Sequence, residues 1–229
     1  MNRAAGLRKR FVRDEMGFTL TEMMVTIIIM TIVLSSLYSI FDMTLKVFSY
    51  GNNKVEATES ARIGMEKMER EIRQAYRYNN ASSQTHLFFD AATPTMPLAV
   101  PPTTRPDLTF GNELGAADGQ ITCATPSSCE YIAYKLTNAD GTTPCSGATC
   151  TLWRENGSKS GPVVENVPPN GLSFTFLKSD ATPLDTAVAG DDEGDIGIVL
   201  VELDVVVDRG IGNDGVQELT SVVDLRNRQ

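Results

Sequence analysis

Histidine is almost missing from this chain: His86 is the only one in 229 residues, which excludes a metal centre built on several imidazoles and a catalytic dyad that needs more than one. Aromatic residues make up only 7%, so there is no evident stacking platform for single-stranded nucleic acid and no aromatic path for electrons. No serine stands in a G-x-S-x-G setting, which removes the commonest nucleophile signature. Basic residues number 20 against 29 acidic ones, a net charge of −9. Phosphate contacts need Lys and Arg, so general nucleic-acid binding is not expected beyond a local basic tip. Proline is absent from Phe18 to Tyr78, and Asp, Glu, Lys, Arg and His are all absent from Met23 to Phe41.

That uncharged stretch is the one long apolar run. At about 1.5 Å per residue it is long enough to cross the hydrocarbon core of a bilayer as a helix. Ahead of it, Arg3, Arg8, Lys9, Arg10 and Arg13 outweigh Asp14 and Glu15. Basic flanks stay in the cytoplasm, so everything beyond Phe41 is expected across the membrane. Four cysteines follow, as the close pairs Cys123 with Cys129 and Cys145 with Cys150. An oxidising compartment allows both to close, and the turn formers in CATPSSC and CSGATC favour local bonds over the other two pairings. Zinc would want C-x-x-C spacing, which neither pair has.

Helical periodicity continues past the apolar run. Ala61, Met65, Met68, Ile72 and Ala75 recur on one face, and Glu66 with Arg70, Lys67 with Glu71 and Glu69 with Arg73 are spaced as i,i+4 ion pairs on the others. Gly51, Asn52 and Asn53 are weak helix formers between the halves, and the helix is expected to end near Asn79 and Asn80. A strand at Thr85 to Asp90 precedes a loop in which Pro94, Pro97, Pro101, Pro102 and Pro106 interrupt regular structure. Strands are then expected at Tyr131 to Leu136, Thr151 to Glu155, Leu172 to Leu177, Ile196 to Asp208 and Val216 to Arg226. In the fourth, Val199, Val201, Leu203, Val205 and Val207 share one face while Glu202, Asp204 and Asp208 share the other, the pattern of an antiparallel sheet covered on one side. The amphipathic helix is the natural cover, and RGIGNDG supplies hairpin chemistry between the last two strands. The expected fold class is α+β, with a long N-terminal helix packed on an antiparallel β-sheet.

At the junction of basic leader and apolar run the sequence reads MGFTLTEMMVTIIIM. Gly17, Phe18, Thr19, Leu20 and Glu22, followed by an unbroken apolar helix, resemble the class III signal of type IV pilins and type II secretion pseudopilins. The resemblance implies a pilin-like fold, peptidase cleavage between Gly17 and Phe18, and N-methylation of Phe18. An ordinary secretory signal would end at small residues such as A-x-A, and LSSLYSIF offers no such site. Gly17 also suits a peptidase that must take its substrate in extended form, because it has no side chain. A carboxylate placed one turn into an apolar helix costs about 2.5 to 3.5 kcal/mol near the bilayer centre unless it is paired. In pilins the residue equivalent to Glu22 is thought to meet the N-terminal amine of a neighbouring subunit; the plainer reading is that Glu22 snorkels to the headgroups.

Across more of the chain, ARIGMEKMEREIRQAYR, YIAYKL, TLWREN, PVVENVPPNGLSFTFL and VVDLRNR look like PilW-type minor pilins and J-type pseudopilins. The chain departs from them in the longer cysteine-bearing stretch between YIAYKL and TLWREN. Four segments follow: a leader over 1–17, a transmembrane helix over 18–41, its amphipathic continuation over 42–80 and a β-sheet domain over 81–229. Removing the leader leaves 15 basic and 27 acidic residues, near −12, in 212 residues. The resemblance implies an inner-membrane protein that later enters a pilus or pseudopilus, at its tip. Its implied partners are other minor pilins, the major pilin, prepilin peptidase, the assembly platform and membrane lipid. No catalysis, cofactor or nucleic acid is expected. A membrane-tethered binding module or enzyme is the alternative from another class. Asp191, Glu193 and Asp195 are weak calcium candidates that lack the EF-hand pattern, so a solvated loop is the better reading. Trp153 with Arg154 is read as packing beside a solvated charge. Gly210, Gly212 and Gly215 lie between strands and read as a turn rather than a phosphate loop.

Overall fold

The computed structural model describes residues 17–75, 78–79, 85–86, 88–90, 93–97, 104–112, 131–156, 159–184, 196–207 and 215–225. The chain divides into two compact units, Met1–Val47 and Phe48–Gln229. In the first, helix α1 (Leu20–Arg73) begins and carries the uncharged run. It is the one described helix long and apolar enough to cross a membrane. Its apolar side chains stand exposed, as Ile28 (59%) and Leu34 (51%) do. Hydroxyls within it are satisfied locally: Thr26, Thr31 and Thr44 donate to the carbonyls of Met23, Ile28 and Ile40 at 2.8–2.9 Å. No water is needed for these groups, which suits a helix placed in hydrocarbon.

The second unit holds the rest of α1, which runs as helix through Gly51, and the strands. The helix stops at Arg73, short of the expected Asn79. Gln74 and Ala75 donate to Glu71 and Ile72 in tighter i→i−3 bonds, and the short strand β1 (Tyr78–Asn79) follows, paired with β2 (Thr85–His86). A six-stranded antiparallel sheet then runs in the order β4 (Thr93–Pro97), β3 (Phe88–Asp90), β6 (Leu108–Gly111), β7 (Tyr131–Thr137), β8 (Cys150–Asn156), β9 (Lys159–Val167). A four-stranded sheet runs β12 (Gly215–Asp224), β11 (Ile196–Val207), β10 (Leu172–Lys178), β5 (Thr104–Arg105).

Two larger sheets therefore replace the single one expected. The Pro-rich stretch also differs: β4 contains Pro94 and Pro97, and sits at the edge of its sheet, where a missing N–H breaks no ladder on the open side. The same reasoning covers β9, another edge strand, which carries Gly161 and Pro162.

Of the strands from Tyr131 onward, β7, β8, β10, β11 and β12 lie within one or two residues of where alternation placed them, while β9 was not expected; as an edge strand carrying Gly161 and Pro162 it shows no clean alternation. Val199, Val201, Leu203, Val205 and Val207 are all buried, and Glu202 and Asp204 face the other way. Ala61, Met65, Met68, Ile72 and Ala75 are buried too, so the predicted helix stripe is the face that meets the sheets. It joins Phe110, Tyr134 and Leu152 of one sheet and Phe174, Phe176 and Val201 of the other in one core. Each such large side chain contributes about 1.5–3 kcal/mol on burial. The fold is an α+β pilin-like one, a long N-terminal apolar helix with antiparallel sheets.

Candidate functional site: the processing junction and the helix that follows it

Gly17, Phe18 and Thr19 lie outside the helix, and Leu20 is its first residue. Phe18 is 75% exposed, and nothing approaches within 4 Å of where a Gly17 side chain would begin. The Gly17–Phe18 bond is thus open and non-helical, the form a peptidase cleft accepts.

Thr19 occupies the N-cap. Its Oγ1 accepts a hydrogen bond from the Glu22 N–H at 3.3 Å and lies 3.1 Å from Thr21 Oγ1. The stretch Thr19-Leu20-Thr21-Glu22 has the T-x-x-E spacing of a capping box, with Glu22 at the third helical position. A carboxylate there is favoured by the exposed N–H groups and the positive end of the helix dipole. The capping spacing is plain in the sequence and overlaps the signal motif; it gives Glu22 a local role in addition to any role between subunits.

Further along α1, Glu71 connects helix and sheet. Its carboxylate accepts from Arg154 Nε at 2.8 Å and from Tyr134 Oη at 2.5 Å. Arg154 and Glu71 side chains are only 16% and 14% exposed, so Arg154 is not the solvated charge expected beside Trp153. Burial works against the Arg154 charge, but the hydrogen bond and charge of Glu71 outweigh it and raise its pKa. Burial and the Glu71 bond likewise push the Tyr134 hydroxyl well above its ordinary value. Of the three spaced pairs on the helix, Glu69 with Arg73 forms, while Glu66 pairs with Arg62 and Glu71 turns to Arg154. Helical spacing alone cannot reveal a partner supplied from β8.

The turn between β7 and β8 is tied by the Cys145–Cys150 disulfide, the local pairing expected. Asp140 braces it, accepting from the N–H groups of Thr142 and Thr143 at 3.0 Å and from the Thr143 hydroxyl. These bonds to Thr143 and Thr142 lower the Asp140 pKa to about 2. Gly141, at φ 72°, lies under the Trp153 ring, where a Cβ would come within 2.7 Å of ring carbons. Cys123, Cys129, Asp191, Glu193 and Asp195, like the leader up to Met16, lie outside the described residues. Among the described residues no group of three His, Cys, Asp or Glu is placed to hold a metal ion.

An α+β chain with an open Gly-Phe bond ahead of a capped helix that is uncharged from Met23 to Phe41 has the layout of a prepilin. Residues 16–38 match the family model of the prokaryotic N-terminal methylation motif, a type IV pilin-like prepilin signal. No curated protein and no solved structure matches the chain.

Proposed function

We propose that this chain is a minor subunit of a type IV pilin-like filament, of PilW type, acting through protein contacts and not through catalysis. The observation that carries the reading is the exposed Gly17–Phe18 bond immediately before the capped helix at Leu20. Prepilin peptidase removes the leader 1–17, and Phe18 is then N-methylated. The segment 18–41 holds the subunit in the inner membrane, the leader on the cytoplasmic side and the domain beyond residue 80 on the other. The rest of the helix, from residue 42 to Arg73, carries that domain.

Glu22 then has two electrostatic partners in succession. Before assembly the helix N-terminus offsets part of its charge. On docking, the Phe18 amine of a neighbouring subunit replaces solvent, and two charges that are costly in hydrocarbon neutralise each other. Sister minor pilins, the major pilin and the assembly platform are the partners this requires.

The test is a deletion strain scored separately for surface filaments and for exported proteins. Lost filaments with intact export support the minor pilin. Lost export with filaments intact assigns the chain to a J-type pseudopilin, and no effect on either supports a membrane-tethered binding module or enzyme.

A further inference from the structure

Strand β12 is the edge of its sheet, paired with β11 over ten residues in an unbroken register and with no other described strand on its far side. Leu225 N–H donates to Gly197 O at 3.0 Å, a pair that continues the same register by one step. Backbone direction alternates along a strand, so odd-numbered β12 residues turn their N–H and C=O toward β11 and even-numbered ones turn theirs to the open edge. Val216, Glu218, Thr220 and Val222 are among those even-numbered residues, and their side chains are exposed on the outer face. One open carbonyl, that of Glu218, has a weak contact with Gln217 Nε2 at 3.5 Å.

Sheet edges are ordinarily blunted by Lys, by Pro, by a bulge or by shortness. β12 has none of these. Val216 and Val222 are 61% and 58% exposed on it. The outer face it borders carries Glu202, Asp204 and Glu218, and no Lys or Arg occupies an outward position of β11 or β12. Asp204 and Glu218 stand directly opposite each other. Burial and the Glu202 charge raise the Asp204 pKa.

We propose that β12 is a docking edge for an extended segment of a partner protein, one that adds an antiparallel strand with Lys or Arg opposite Glu218 and apolar residues opposite Val216 and Val222. A second copy of this chain does not fit, because its own β12 would bring another Glu218 into the same acidic face. Backbone bonds supply the affinity and the alternating side chains the choice of partner. The proposal stands apart from the filament reading, since it rests on the edge and its charges alone.

The full chain in detergent micelles is titrated with a fluorescein-labelled peptide in which Lys and Val alternate with Thr, and anisotropy is recorded. Saturable binding is expected, with affinity about tenfold weaker for Glu218→Lys and weaker again when Glu replaces Lys in the peptide. Val222→Pro tests the ladder, because Val222 N–H points away from β11 and its loss leaves the native pairing whole while closing the edge. If that variant unfolds, the same peptide with alternate amides N-methylated tests the ladder on the unaltered chain. Absence of saturable binding, binding undiminished by Val222→Pro or by N-methylation, or equal binding of the Lys and Glu peptides each overturns the proposal.

Discussion

The Glu71 carboxylate on α1 holds Arg154 on β8 at 2.8 Å, with Tyr134 of β7 donating to the same oxygen at 2.5 Å. One acid thus ties the last turn of the helix to two neighbouring strands. Glu71→Ala leaves the largely buried Arg154 without its partner and is expected to lower stability by about 2–3 kcal/mol. Arg154→Met combined with Glu71→Leu restores part of it, because the apolar pair needs no solvation, while the Tyr134 hydroxyl is left without its acceptor. Urea unfolding of the unaltered chain, Glu71→Ala and the double variant checks both statements.

Gly64 lies where helix and sheet come closest: an added Cβ would sit 2.3 Å from Val164 Cγ2. Gly64→Ala is expected to cost about 1–3 kcal/mol despite the better helix propensity of alanine. Val164→Ala in the same chain recovers part of the loss, and the shift in thermal midpoint measures both.

Thr19 fixes the start of the helix. Thr19→Val keeps the shape but removes the acceptor for the Glu22 N–H, and is expected to weaken the first turn by about 1 kcal/mol, whereas Thr19→Ser retains it. Amide exchange at Glu22 reports the difference: roughly fivefold faster in the valine variant and unchanged in the serine one.

Asp140 makes the turn between β7 and β8 sensitive to acid. Its folded pKa, about 2, is below the unfolded value, so its contribution is present above the ordinary carboxylate range and is lost as pH falls toward about 2. A carboxyl NMR titration should place its midpoint near 2, and in Thr143→Val, where the hydroxyl donor is gone, the midpoint should rise.

Strands β7, β8, β10, β11 and β12 and the buried stripe from Ala61 to Ala75 were legible because a covered sheet and a covered helix each leave their period in the apolar residues; β9, an edge strand with Gly161 and Pro162, leaves none. The division into two sheets was not, since period 2 says which way a side chain faces and nothing of which strand lies beside it. β4 was hidden by Pro94 and Pro97, which forbid a central strand but not an edge. β6 was hidden by its shortness, four residues buried on both faces with no alternation to see. In the candidate site, Gly17, Phe18 and Glu22 were legible through the resemblance of MGFTLTE and the apolar run behind it to the class III signal. Arg154 was not, because its partner is 83 residues away in the chain and only the packing of α1 on β8 brings them together.

The central claim is that the bond between Gly17 and Phe18 is cut and the mature helix enters a filament, and intact-mass analysis of this chain from sheared surface fractions and from membranes tests it most directly. A chain of 212 residues beginning at a singly methylated Phe18 in the sheared fraction is the predicted result. A chain found only in membranes with residues 1–17 still attached would contradict it.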